Sequence, residues 1–178
     1  MSAADDTGLV LRAAQFAATK HRNQRRKDKE ATPYINHPLA LANVLWHEGR
    51  IADARIIAAA LLHDTVEDTR TTRAELARAF GKLIASVVAE VTDNKRLDKK
   101  TRKRLQVEHA PHLSASAKLV KLADKICNLR DLAASPPAEW SLARKREYFD
   151  WARQVVDALR GANRRLERVF DRAYRARP

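Results

Sequence analysis

The sequence predicts an all-α fold, and three observations predict it. Glycine and proline number only 4 and 6 in 178 residues, while the helix formers alanine, leucine and arginine abound. Apolar residues recur at helical spacing in one segment after another. The segments are separated by residues that start or stop helices. The length suits one domain with a sizeable core. No repeat, low-complexity linker or second domain is visible, so residues 1–178 read as a single unit.

Residues 1–6 read as a short mobile start. Asp6 or Thr7 can cap a helix to about Lys20, with Leu9, Ala13, Phe16 and Ala17 on one face. Arg22 to Asn36 is polar, basic and broken by Pro33, and reads as a loop. Pro38 suits the first turn of a second helix to about His47, which leaves His37 at a loop–helix junction. A third helix is expected from about Ala52 to Asp68. Thr72-Arg73-Ala74-Glu75 matches a capping box and Gly81 a stop, enclosing a short fourth helix. Leu83 to Val91 is apolar enough for a buried fifth. Thr92 to Arg104 is charged and reads as a loop leading into a short helix. A further helix starts near Ser114 or Ser116 and runs to about Ala133, before Pro136-Pro137. Glu139 to Arg160 is amphipathic and closed by Gly161, and a basic helix follows.

The formal charge of +13 implies an anionic partner, whether nucleic acid, membrane phosphate or a highly charged small molecule. Basic residues crowd into Lys20–Lys29, Lys95–Arg104 and Arg160–Arg177; the last reads as a solvated helix face. The longest apolar run, Ile56 to Leu62, is far short of the ~20 residues a spanning helix needs, so no membrane role is expected. The N-terminus lacks the pattern of a signal peptide, and the single cysteine, Cys127, fits a reducing cytoplasm and reads as a small core residue.

His63-Asp64-Thr65-Val66-Glu67-Asp68 follows the apolar run directly. Residues four apart share a helix face, pairing His63 with Glu67 and Asp64 with Asp68. Ionised Asp64 at the edge of a buried helix needs compensation, and a divalent cation supplies it. Asp124 is a second acid in an apolar helical stretch, with Asn128 on its face. It could instead be ion-paired to Lys121 or Lys125, and Glu67 and Asp68 could be an acidic helix end. Two imidazoles (His37, His63) and two carboxylates (Asp64, Asp124) suit Mn²⁺, and also Fe²⁺, Co²⁺ or Zn²⁺, one ion per site. Such an ion activates water.

Four segments carry a family resemblance: Lys20 to Asp28, Thr32 to Pro38, Leu61 to Thr69, and Val120 to Arg130. Together they resemble the hydrolase domain of the RelA/SpoT family, and most of all its stand-alone small alarmone hydrolases. The likeness continues through Val91-Thr92-Asp93, Arg102 to Glu108 and Glu147-Tyr148-Phe149, from about Ala13 to Leu166. It implies a compact HD-domain helical fold. It implies Mn²⁺-dependent release of the 3′-pyrophosphate from guanosine tetra- or pentaphosphate (ppGpp, pppGpp), giving GDP or GTP. His37, His63, Asp64 and Asp124 would hold the metal, and Glu67 and Asp68 would be the catalytic acids. Arg26, Lys27, Asn128 and Tyr148 would contact the nucleotide, and Lys99 a phosphate. No length remains for the synthetase domain of the bifunctional relatives. Those often carry threonine at the position of Asp131, whose role stays open.

Hydrolysis of a polyanion needs a nucleophile, charge neutralisation and a proton for the leaving oxygen. The metal and the basic segments meet the first two needs, and Glu67 and Asp68 can order water and move protons. Which is acid and which is base is open. Lys100, Lys103 and most C-terminal arginines read as solvated surface; Tyr148 reads as core packing or as a base or ribose contact. Two other functions stand beside the first. One is removal of the 2′-phosphate of NADPH or another HD nucleotidase reaction, for which the active-site residues would be nearly the same. The other is a basic nucleic-acid-binding module, which lacks zinc-finger or RRM signatures and is not expected.

Overall fold

The computed structural model describes residues 3–178. Among them are ten α-helices and no strand; the one extended pairing is an isolated bridge between Arg25 and Pro33.

Helix α1 (Ala3–Lys20) carries Asp5 and Asp6 in its first turn, where carboxylates suit the positive helix end. Met1 and Ser2, the first of the residues read as a mobile start, lie outside the described residues; residues 3–6 are helical. Helix α2 (Asn36–Asn43) begins before His37, so His37 lies inside its first turn, and Pro38 sits where no backbone N–H is needed. A π-helical turn (Val44–Glu48) extends it to Gly49. A Cβ on Gly49 would stand 2.8 Å from the Leu45 carbonyl oxygen and 3.0 Å from Leu166, so glycine alone lets the last helix approach there.

The expected helix from Ala52 to Asp68 is broken. Asp53 caps α3 (Ala54–Leu62), and a separate single turn, α4 (Thr65–Asp68), follows. Between them the His63 ring takes the Ala60 carbonyl at 2.8 Å and the Thr65 hydroxyl takes that of Leu62 at 2.7 Å. Side chains that capture local carbonyls compete with the helical ladder. Asp64 accordingly has φ −97° and ψ −3°. Thr72 caps α5 (Arg73–Phe80) by accepting from the Glu75 N–H, and Gly81 at φ +89° turns the chain into α6 (Lys82–Val91). The expected loop to Arg104 ends earlier, because Asp98 accepts from the Thr101 N–H and starts α7 (Lys99–His109).

Ser114 caps α8 (Ala115–Ala134), Ser141 caps α9 (Leu142–Asp157) and Asn163 caps α10 (Arg164–Tyr174). Helix α8 is the axle. It packs on α2, α3, α6, α9 and α10, burying Leu119, Leu122, Ile126 and Leu129. Helix α3 is apolar nearly all round and lies between α1, α2, α6 and α8. Phe149 and Phe170 are fully buried where α9 and α10 close the core. No helix is long and apolar enough to cross a membrane, among the described residues.

Candidate metal centre and substrate cleft

Three elements bring the candidate metal ligands together. The first turn of α2 supplies His37, the break after α3 supplies His63 and Asp64, and the middle of α8 supplies Asp124. Ligand atoms of His37, His63 and Asp124 all lie within 4.8 Å of one another. The His63 Nδ1 faces the Ala60 carbonyl at 2.8 Å. A carbonyl only accepts, so Nδ1 carries the hydrogen and Nε2 keeps its lone pair. That Nε2 is buried, has no hydrogen-bond partner, and lies 2.8 Å from Asp64 Oδ2. Two electron-rich atoms facing each other at that distance are what a cation relieves. His37 Nε2 lies 3.3 Å from Asp124 Oδ1. The clustered donors, two imidazoles and the Asp124 carboxylate without a thiolate, with Asp64 beside His63, fit a divalent ion with positions left for water.

The surroundings hold the carboxylates ionised. Burial pushes Asp64 up; in the metal-free site, where His63 and His37 can carry protons, these two outweigh it and leave the carboxyl below its ordinary value. A bound cation takes over that part when the imidazoles are neutral ligands. For Asp124 burial is likewise outweighed, chiefly by Lys125, whose Nζ is 3.0 Å from Oδ2. Of the two lysines open to Asp124 on sequence grounds, Lys121 donates instead to the Val91 carbonyl, at 2.8 Å. Asn128 Nδ2 donates to Asp124 Oδ1 at 2.6 Å, and Tyr34 donates its hydroxyl to Asp64 Oδ2 at 2.5 Å. Such outer partners orient ligands and raise their basicity.

The ligands open into a cleft of two adjoining lobes. The inner lobe, about 410 Å³, is lined by His37, His63, Asp64, Glu67, Asp124, Lys99, Lys121, Lys125 and Arg144, among others. The outer lobe, about 510 Å³, is lined by Gln24, Asp68, Lys95, Asp131 and Pro137. Arg26, Lys27, Tyr34, Asn128, Trp140 and Tyr148 border both. The acid pair is therefore divided. Glu67 faces the inner lobe and accepts the Asp93 N–H at 2.9 Å; burial nonetheless pushes its carboxyl up to about 7. Asp68 faces the outer lobe, ion-paired to Lys95 and accepting from Gln24 Nε2 at 2.8 Å. Of the two pairings expected along one continuous helix, His63 and Glu67 both border the inner lobe, whereas Asp64 borders the inner and Asp68 the outer.

Cations and aromatic rings form the far wall. Arg26 Nη2 donates to Asp131 Oδ2 at 2.6 Å and to Asn128 Oδ1 at 3.3 Å, and its guanidinium lies over the Tyr34 ring. Lys99 heads α7; burial first, then repulsion from Arg144, Lys103 and Lys27, lowers its pKa. Like charges gathered this closely await an anion. Tyr148 is half-buried between Trp140 and Trp151, at ring distances of 5.7 and 5.2 Å. Lys103, expected as solvated surface, instead lies along this wall, over the rings of Tyr148 and Trp151.

Sequence reasoning passed over Tyr34, Lys125, Gln24, Trp140 and Arg144 as site residues. A signal existed for Tyr34, three residues before His37 in Pro33-Tyr34-Ile35-Asn36-His37. None existed for Arg144 on α9 or for Trp140 just before it, which only the packing of α9 against α7 brings near the cleft.

An all-helical domain with this His-His-Asp cluster defines a divalent-metal centre of the HD type. The model of the HD domain matches residues 13–150. The chain is 58% identical over 169 residues to guanosine-3′,5′-bis(diphosphate) 3′-pyrophosphohydrolase MESH1 of Xenopus tropicalis, covering 95% of this chain and 94% of that protein. It is 57% identical over 172 residues to the Homo sapiens protein of the same name, with 97% and 96% covered. A solved structure described as a metazoan ortholog of SpoT that hydrolyzes ppGpp superposes with TM-score 0.92 at 46% identity, over 99% of this chain and 97% of that one. The chain belongs to the HD-domain family, in its branch of MESH1- and SpoT-type (p)ppGpp hydrolases.

Proposed function

We propose that the protein is a metal-dependent hydrolase of guanosine 3′,5′-bis(diphosphate), releasing pyrophosphate and GDP, or GTP from the pentaphosphate. The observation that carries this reading is the placement of the His37–His63–Asp124 cluster at the floor of a cleft whose wall gathers Arg26, Lys27, Lys99 and Arg144. In the reaction, water oxygen bonds to the phosphorus attached to the ribose 3′-oxygen, that P–O bond breaks, and the 3′-oxygen takes a proton. A bound divalent ion supplies Lewis acidity and lowers the pKa of water. His37, His63, Asp64 and Asp124 would hold it, and Mn²⁺ is the ion we assign, with Fe²⁺, Co²⁺ and Zn²⁺ as competitors for this nitrogen–oxygen set.

The chain's own residues supply the rest. Glu67, with its pKa near neutrality, can take up or release a proton in the inner lobe. Asp68 offers a second carboxylate from the outer lobe. Arg26 and Lys27 border both lobes and neutralise the pyrophosphate, and Lys99 meets a more distant phosphate. Asn128 and Tyr148 flank the nucleoside, the ring offering an apolar face. A cytoplasmic setting accords with the single, buried thiol of Cys127.

The test is product analysis on metal-stripped protein reloaded with Mn²⁺, Fe²⁺, Co²⁺ or Zn²⁺ in turn, with guanosine tetraphosphate and NADPH side by side. The expected products are pyrophosphate and GDP, with the highest rate under Mn²⁺. Turnover of NADPH to orthophosphate without turnover of the tetraphosphate overturns the assignment.

A further inference from the structure

We infer that His21 and Gln24 are positioning residues for Asp68, a relay rooted in the buried His21 that sets the direction of one carboxylate of the acid pair; this rests on the reading of Glu67 and Asp68 as catalytic acids. Asp68 needs such support. It is the last residue of α4, a single turn of four residues, and the chain becomes extended at Thr69. A one-turn helix does little to restrain its final side chain, and the C-terminal end of a helix disfavours a carboxylate.

Two external donors hold it. Lys95 pairs with Oδ1 but is half-exposed on a loop. Gln24 donates from Nε2 to Oδ2 at 2.8 Å. Gln24 is itself fixed: its N–H donates to the His21 carbonyl at 2.8 Å, and its carbonyl accepts the Tyr34 N–H at 3.1 Å. Its side-chain oxygen lies 2.7 Å from His21 Nδ1. A carboxylate can only accept, so the amide must turn its nitrogen to Asp68 and its oxygen to His21. His21 Nδ1 then carries the hydrogen. The relay runs His21 Nδ1–H to Gln24 Oε1, then Gln24 Nε2–H to Asp68 Oδ2.

The imidazole is anchored deep. His21 is 2% exposed, and its ring centre lies 4.8 Å from that of Tyr34 at a 30° tilt. Tyr34 is the residue whose hydroxyl holds Asp64. One buried ring therefore supports both sides of the centre: Asp68 through Gln24, and Asp64 through Tyr34. Packing alone does not explain a histidine here. A core position this closed favours an apolar side chain, and His21 Nε2 is buried without a hydrogen-bond partner. What the imidazole adds over an apolar ring is the Nδ1 donor.

The experiment measures kcat and KM for guanosine tetraphosphate under Mn²⁺, with metal content and melting temperature for each variant. Gln24→Met keeps the volume and removes the donor. It should lower kcat by about 10- to 100-fold, the usual cost of a misplaced catalytic group, with KM within about twofold and metal content unchanged. Gln24→Glu, isosteric but facing Asp68 with like charge, should fall at least as far, and it stands in should the Met variant not fold. His21→Asn, which can still donate, should retain more kcat than His21→Phe, which keeps only the ring. In an Asp68→Asn background, Gln24→Met should cost nothing further. Wild-type kcat in both Gln24 variants, or an undiminished loss in the Asp68→Asn background, overturns the relay. Wild-type kcat in Asp68→Asn alone removes the acid role itself, and is read separately from any Gln24 result.

Discussion

The Tyr34 hydroxyl donates to Asp64 Oδ2 at 2.5 Å, joining the basic loop before α2 to the break between α3 and α4. Burial and the neighbouring Asp64 and Asp68 charges push the Tyr34 pKa above its ordinary value, so the phenol stays a donor. Tyr34→Phe should therefore weaken Mn²⁺ binding by about 10- to 100-fold, the range for loss of an outer-shell partner. Metal titration of the stripped protein measures it; wild-type affinity would mean that the bond does not orient the ligand.

Asp64→Asn should go further. It keeps the shape but removes the charge that faces His63 Nε2 at 2.8 Å. Metal content after dialysis should fall to background and turnover with it, while far-UV circular dichroism stays helical. Retained activity would sink the assignment of Asp64 as a ligand.

Glu67 makes the metal-free protein sensitive to pH. Its carboxyl is raised to about 7, first by burial, against about 4.3 in the unfolded chain. Between those values the folded state binds more protons, so stability falls as pH rises through the window, and the cost is fully present above about 7. Glu67→Gln removes a charge that would otherwise be buried. Its melting temperature in stripped protein should exceed wild type at pH 8 and differ little at pH 4.5. An equal difference at both values would falsify the assignment of the cost to ionisation.

Lys99 and Arg144 both lie over the Trp140 ring, with Arg144 at 4.3 Å and Lys99 at 5.9 Å from its centre. Replacing both with alanine should raise KM for guanosine tetraphosphate about tenfold or more while kcat changes little, because the pair acts on charge distant from the metal. The salt dependence of kcat/KM should flatten in parallel. A fall in kcat alone would place the pair in the chemistry instead.

Core truncation supplies a stability scale. Phe149 has no exposed surface on α9, and Phe149→Ala should cost roughly 3–5 kcal/mol in denaturant unfolding. A loss below about 1 kcal/mol would show that α9 is not closed on the core as described.

Much of the site was legible because it is local. His37 with Pro38, His63 with Asp64, and Glu67 with Asp68 are neighbours whose types announce their chemistry, and Asp124 stands out as an acid in an apolar stretch. The break at His63–Asp64 was not legible. Apolar periodicity runs straight into it, and only the capture of the Ala60 and Leu62 carbonyls by side chains interrupts the helix. Lys103 reads as solvent-facing in the sequence because a basic run looks solvated until aromatic rings from another helix are laid beside it.

The sequence by itself determined the helical class and the caps at Thr72 and Ser114, and it singled out the candidate metal-site residues, since these depend on propensity, on short spacings and on side-chain chemistry. Only the tertiary structure decided which carboxylate faces which lobe, that Tyr34 and Lys125 complete the surroundings of Asp64 and Asp124, and that Trp140 and Arg144 close the cleft. Apart from the adjacent Lys125–Asp124 pair, those relationships join residues tens of positions apart. They exist only when α8 packs against α2, α3 and α9, and no local pattern in the chain encodes that meeting.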